Sequence, residues 1–193
     1  MNNNMKIFKD TVRKTVVKDY YFLFVVHLTR TIEPYLEEWL KSYKSIGVIS
    51  IPYSENKLTK QNISQITSVY EVSDFKKIPA LIRNLCQENE DKKIILVEIG
   101  GYSAGVSQYL KNVVLSIEDT NQGYWEFKKH EKNLNYPVVS IAQTVLKSLE
   151  NRLVGQSVVF STERILRDHF NQGCLTTQDV LVLSYGKKIS VIF

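Results

Sequence analysis

The chain has little from which to build a metal centre, a disulfide framework or a membrane anchor. Its two cysteines in 193 residues, Cys86 and Cys174, lie far apart and show no ligand or redox spacing, which fits small buried thiols in a reducing compartment. No apolar segment follows the amino terminus, and the longest apolar run, 20–26, is far shorter than the roughly 20 residues of a spanning helix. A cytoplasmic protein without a membrane partner is therefore expected. There is no internal repeat, no low-complexity stretch and no dense Lys/Arg stripe, so no nucleic-acid partner is expected either. The charge excess is mild and scattered, 25 Lys+Arg against 20 Asp+Glu for a net +5, which favours solubility more than an anionic ligand.

What is present is an ordinary single-domain composition, 44% hydrophobic and 23% charged, centred on the stretch 92–123, KKIILVEIGGYSAGVSQYLKNVVLSIEDTNQG. Its two apolar runs, 94–97 and 113–117, are short, rich in β-branched residues and closed by polar or small residues, so each predicts a buried strand. Residues 105–112 between them suit a short helix. The strand ends then carry Gly100-Gly101 and Glu118-Asp119-Thr120, and in an open parallel sheet ligands sit outside the carboxyl ends of strands.

The flanking chain repeats this alternation. A helix is predicted over 6–18, then a strand over 20–27 that is apolar or aromatic until His27, as when both faces of a strand are covered. Thr31-Ile32-Glu33-Pro34 opens a helix running to about Ile46, with Pro34 suited to its first turn and Gly47 to its stop. Strands follow at 48–51 and 69–72, a helix at 74–89, a helix at 122–132 and a strand at 137–141. Segments 144–151 and 155–170 form one helix or two, and 180–183 a last strand. The fold class expected is α/β, an open mostly parallel sheet with helices on both faces.

Several segments resemble the S-adenosylhomocysteine hydrolases (adenosylhomocysteinases) and their divergent bacterial relatives. They are HLTRTIE at 27–33, VEIGGYSAG at 97–105, SIEDTNQG at 116–123, PVVSIAQTVLKSLENRLVGQSVVFSTERILRD at 137–168 and DVLVLSYGK at 179–187, in the family's order. The resemblance implies a Rossmann-like substrate domain over 1–140, connecting helices over 141–178, and the first strand of a second, NAD-binding Rossmann domain over 179–193. It also implies methyl-cycle chemistry: NAD oxidises the ribose 3′-hydroxyl, homocysteine is eliminated, water adds and the ketone is reduced again, the cofactor carrying the difficult steps.

The family's roles carry over position by position. His27 matches a histidine near the leaving group, and an imidazole at a strand end is suited to proton transfer, packing or helix capping being its blander roles. Thr29 matches a nearby substrate threonine. Asp119 stands where the family has a glutamate on the ribose hydroxyls, with Glu118 beside it, and Thr120, Asn121 and Gln122 stand where threonines meet the nicotinamide end of NAD. Asp119 and Thr120 equally suit helix caps. Lys147 matches the lysine that helps deprotonate the 3′-hydroxyl, or is a solvated helical lysine, and Asn151 occupies its aspartate partner's place.

Departures from the family pattern lie at Ile99, which replaces a substrate-binding aspartate whose role the resemblance passes by a local shift to Glu98 beside it, and at Ala142 and Gln156. In Ser184-Tyr185-Gly186-Lys187-Lys188-Ile189 only Gly186 of the dinucleotide glycines is present, while a βαβ unit needs roughly 30 residues or more. The lysine-rich GKKIS, close to a family-like GYGKIG, fits a slip in an A-rich codon run or an early stop in a longer gene, a cut at a domain boundary being the other explanation. The expectations are an adenosine-type ligand, an incomplete NAD site, no turnover by this chain alone, and a homo-oligomer or separate Rossmann partner to complete it. The alternative is a non-catalytic nucleoside-binding or protein-interaction module.

Overall fold

Strand β1 (Tyr21–Val26) is apolar on both faces because two cores meet on it: Leu23 and Val25 enter one, and Phe22, Phe24 and Val26 enter the other. This alternation is seen in a computed structural model that describes residues 3–15 and 18–171. The chain divides into two units, Met1–Ile141 and Ala142–Phe193. In the first, helix α1 (Asn3–Lys14) precedes β1, and the order continues with α2 (Glu33–Ser42), β2 (Ser45–Ser50), α3 (Lys57–Ser64), β3 (Val69–Glu71), α4 (Ile78–Glu88) and β4 (Ile94–Glu98). A short 3₁₀ helix (Ala104–Tyr109), β5 (Val113–Glu118), α5 (Asn121–Lys129) and β6 (Val138–Ser140) complete it.

The strands form one six-stranded sheet, all neighbours parallel, in the order β3-β2-β1-β4-β5-β6. This is the doubly wound, Rossmann-like α/β arrangement. Leu36 and Leu40 of α2 and Ile63 of α3 pack with Phe22 and Phe24. Ile78, Ile82 and Leu85 of α4 and Phe127 of α5 pack with Leu23 and Val25 on the opposite face. Burying each such aliphatic side chain contributes about 2 kcal/mol, so the two layers hold the sheet from both sides.

Element boundaries differ from the sequence expectation, and at the end of α2 the reason is physical. The helix predicted to reach Ile46 ends at Ser42, and Tyr43 turns its hydroxyl to the carbonyls of Val12 at 2.6 Å and Thr15 at 2.7 Å, tying down the end of α1. Gly47 is therefore not a helix stop. It lies inside β2 at φ 144°, where a Cβ would come 2.4 Å from the Tyr70 ring and 2.9 Å from the Ser68 carbonyl. The segment 105–112 forms 3₁₀ turns rather than an α-helix.

In the second unit one helix, α6 (Val145–Phe170), runs unbroken through Gly155, so 144–151 and 155–170 are a single element. Thr144 caps it by accepting the Lys147 N–H at 3.2 Å, and Asn171 ends it in the left-handed region at φ 51°. The strand expected at 180–183 and Gly186 lie outside the described residues. Among the described residues no helix is long and apolar enough to cross a membrane.

Candidate functional site

The strand order reverses between β1 and β4, since β2 follows β1 on one side and β5 follows β4 on the other. At such a switch point the loops leaving the two strands diverge and open a crevice at their carboxyl ends. His27 leaves β1 there, and Gly100-Gly101 follows β4.

Two glutamates lie at this edge. Glu98 and Glu118 end neighbouring strands, are register partners, and are 1% and 0% exposed. Glu118 accepts the N–H groups of Gly100 at 3.1 Å, Gly101 at 2.9 Å and Thr120 at 2.6 Å, and the Thr120 hydroxyl at 2.6 Å. The loop folds around that carboxylate: Gly100 and Gly101 take φ of 102° and 66°, and a Cβ on Gly123 would lie 2.1 Å from Glu118 Cδ. Thr120 caps α5, its oxygen also accepting from Gly123 N–H at 3.0 Å and Gly100 N–H at 3.0 Å.

Glu98 is held by a second network. It accepts the Ser103 N–H at 3.0 Å, the Ser116 hydroxyl at 2.8 Å and the Ser103 hydroxyl, and Ser103 in turn accepts the Tyr136 hydroxyl at 2.8 Å. Burial pushes the Glu98 carboxyl up to about 7 against the pull of Ser103 and Ser116, with the charge of Glu118 adding to the rise. Burial also raises Glu118, opposed by its hydrogen bonds from Thr120, Gly100 and Gly101. Below neutrality Glu98 therefore keeps a proton beside Glu118. Burial likewise raises the Tyr136 hydroxyl and pushes the Cys86 thiol up to about 12, so both stay neutral around this pair.

His27 is half-buried directly after β1. Its Nδ1 is hydrogen-bonded to the Ser54 hydroxyl, the Tyr53 ring meets it edge-on with centroids 5.3 Å apart, and burial lowers its pKa. At neutral pH it is an uncharged imidazole that can accept or pass a proton. Tyr53 is 73% exposed beside it, and Tyr102, half-buried, follows Gly101 from β4. Tyr53, Ser54, Tyr102 and Ser103 were not legible as site residues. The one available signal was their position just past predicted strands, and Ser116 showed as a hydroxyl in an otherwise apolar run.

The other expected positions spread more widely. Thr29 hydrogen-bonds Thr31 through its hydroxyl at 2.9 Å and accepts the N–H of Ile32 at 3.2 Å, which opens α2. Asp119 is half-buried, and its N–H donates to Glu98 O at 3.2 Å. Asn121 is half-buried and Gln122 exposed in the first turn of α5. Ile99 packs against the apolar core. Lys147 and Asn151 lie one turn apart on α6, in the second unit, where Lys147 Nζ pairs with Glu150 at 2.9 Å.

The described residues do not fit the pyrophosphate of NAD. The turn after β1, Leu28-Thr29-Arg30-Thr31-Ile32, has no glycine to let the backbone approach a phosphate, and the Gly100, Gly101 and Thr120 amides are taken by Glu118. Two clefts at the opposite, amino-terminal edge carry Lys18 and Lys44, or Lys92, Lys93 and Lys111. These lysines follow helix carboxyl ends or precede strands, where a cation complements the helix dipole.

No protein-family model matches the chain, and no curated protein matches it.

Proposed function

We propose that this chain is the substrate-holding part of an adenosylhomocysteinase-like protein and binds an adenosine-type small molecule, adenosine or its thioether, in the crevice at the carboxyl edge of the sheet. The observation that supports this most is a convergence. The stretches at 27–33, 97–105 and 116–123, far apart in sequence, all carry strand ends or loops at that one edge, flanking the reversal of strand order. On this reading Asp119 meets the ribose hydroxyls, and His27 exchanges a proton near the leaving group. NAD-dependent turnover would draw on a dinucleotide-binding part outside the described residues, in the full gene product, a homo-oligomer or a separate Rossmann partner.

A second reading, a nucleoside-binding module without catalysis, is favoured by Ile99 packed into the apolar core and by Asn151 in the place of an ionisable partner for Lys147. Calorimetric titration with adenosine and with S-adenosylhomocysteine, with and without NAD, tests both. Saturable binding that weakens at least tenfold in Asp119→Ala supports the substrate crevice. Adenosine release from the thioether in the presence of NAD separates an enzyme from a binding module. No binding under any of these conditions overturns both readings.

A further inference from the structure

The contact between His27 and Ser54 joins the ends of two neighbouring strands. His27 follows β1, and Ser54 ends a 3₁₀ turn (Pro52–Ser54) that follows β2, where the Ile51 N–H donates to Val26 O at 3.2 Å and fixes the turn on the strand beside it. Ser54 has one hydroxyl proton and two neighbours that could take it. One is His27 Nδ1, and the other is the Ile51 carbonyl at 3.3 Å, which can only accept. If the hydroxyl proton points to the carbonyl, the oxygen's lone pair is left for a proton on Nδ1. His27 Nε2 has no hydrogen-bond partner among the described residues.

We infer that Ser54 is a positioning residue that fixes the tautomer of His27: Nδ1–H donates to Ser54 Oγ, Ser54 O–H donates to the Ile51 carbonyl, and the lone pair stays on Nε2. This chain suits neutral and protonated imidazole alike, because Nδ1 keeps its proton in both states. A proton therefore enters and leaves at Nε2 alone, and no hydroxyl has to reorient during the transfer. Such preorganisation is how a partner on one ring nitrogen decides what the other can do. The use of Nε2 as the acceptor facing a ligand rests on the function proposed above, whereas the tautomer itself does not.

The test is nitrogen-15 NMR of the histidine rings in the ligand-free, full-length protein above the His27 pKa. The chain has three histidines, and the pair of signals lost in His27→Gln identifies this one. The expected result is a lone-pair-type nitrogen at Nε2 and a proton-bearing nitrogen at Nδ1. Ser54→Ala is expected to move most of the lone pair to Nδ1, and Ser54→Thr, which keeps a hydroxyl, to restore the wild-type pattern. A lone pair on Nδ1 in the wild type overturns the assignment, as does an unchanged pattern in a folded Ser54→Ala protein. If Ser54→Ala does not fold, the wild-type and Ser54→Thr spectra decide. Because no ligand is present, failure of the calorimetric titration leaves this result standing, and the two failures are distinguishable.

Discussion

Glu118 and Gly123 touch so closely that no side chain fits at position 123: a Cβ there would lie 2.1 Å from Glu118 Cδ and 2.2 Å from its Oε2. The carboxylate that gathers the Gly100, Gly101 and Thr120 amides is thus also the surface on which α5 begins. Gly123→Ala would push this buried acid off its four donors. The expected cost is about 2–3 kcal/mol, from overpacking and from donors left without a partner. Urea unfolding should show the midpoint falling with the slope unchanged.

Glu98 sets a pH dependence of stability whose sign follows from its raised pKa. In the folded chain it binds its proton up to about 7, in the unfolded chain only up to 4.5. The stability this difference contributes is full below 4.5 and is lost as the pH rises through 7. Its size is on the order of 3 kcal/mol. Glu118, also raised, acts in the same direction. His27, lowered by burial, acts in the opposite one: stability tied to its neutral form is present above 6.5 and lost as the pH falls through its depressed value. Glu98→Gln should flatten the decline between pH 5 and 8, measured as unfolding free energy at each pH.

Gly47→Ala separates the sequence expectation from the structure. A glycine stopping a helix loses about 1 kcal/mol or less when replaced. A glycine inside β2 at φ 144°, against Tyr70 and the Ser68 carbonyl, loses more, about 2–4 kcal/mol. Thermal unfolding of the variant decides between the two, and pairing it with Tyr70→Ala should recover part of the loss if the ring is the obstacle.

Tyr43→Phe removes the hydroxyl that meets the Val12 and Thr15 carbonyls. A loss of about 1 kcal/mol is expected, confined to α1. Hydrogen exchange should accelerate in residues 5–15 while β1 and β4 keep their protection.

The sheet was legible because its strands are apolar on both faces, a pattern that residues 20–27, 94–97 and 113–117 show plainly. Their alternation with helices led to the parallel α/β class that the structure has. Strand order could not be read, since nothing in a strand's own residues names its neighbour. Gly47 was misplaced because a glycine after a helical pattern usually ends it, and the ring that covers it belongs to β3. The acidic pair is partly legible: Glu118 and Thr120 stand at a predicted strand end, whereas Glu98 enters only beside Ile99, through the family resemblance. That Glu98 turns inward depends on Ser103, Ser116 and Tyr136, and that Glu118 does so depends on Gly100 and Gly101 of the neighbouring loop, meetings that are tertiary. Ser54 escaped for the same reason, being 27 residues from its histidine.

Sheets of this kind commonly greet a phosphate with the bare amides of a glycine turn and a helix start. Here the amides of Gly100, Gly101 and Thr120 already face an acid, Glu118, that the chain itself supplies. The loop in effect supplies its own acceptor. A phosphate reaching for those amides would find each already donating to Glu118, whereas a ligand that needs no amide donor would lose nothing. On the function proposed above, a nucleoside would be told from its monophosphate at this loop, because the loop has already committed these amides to its own side chain.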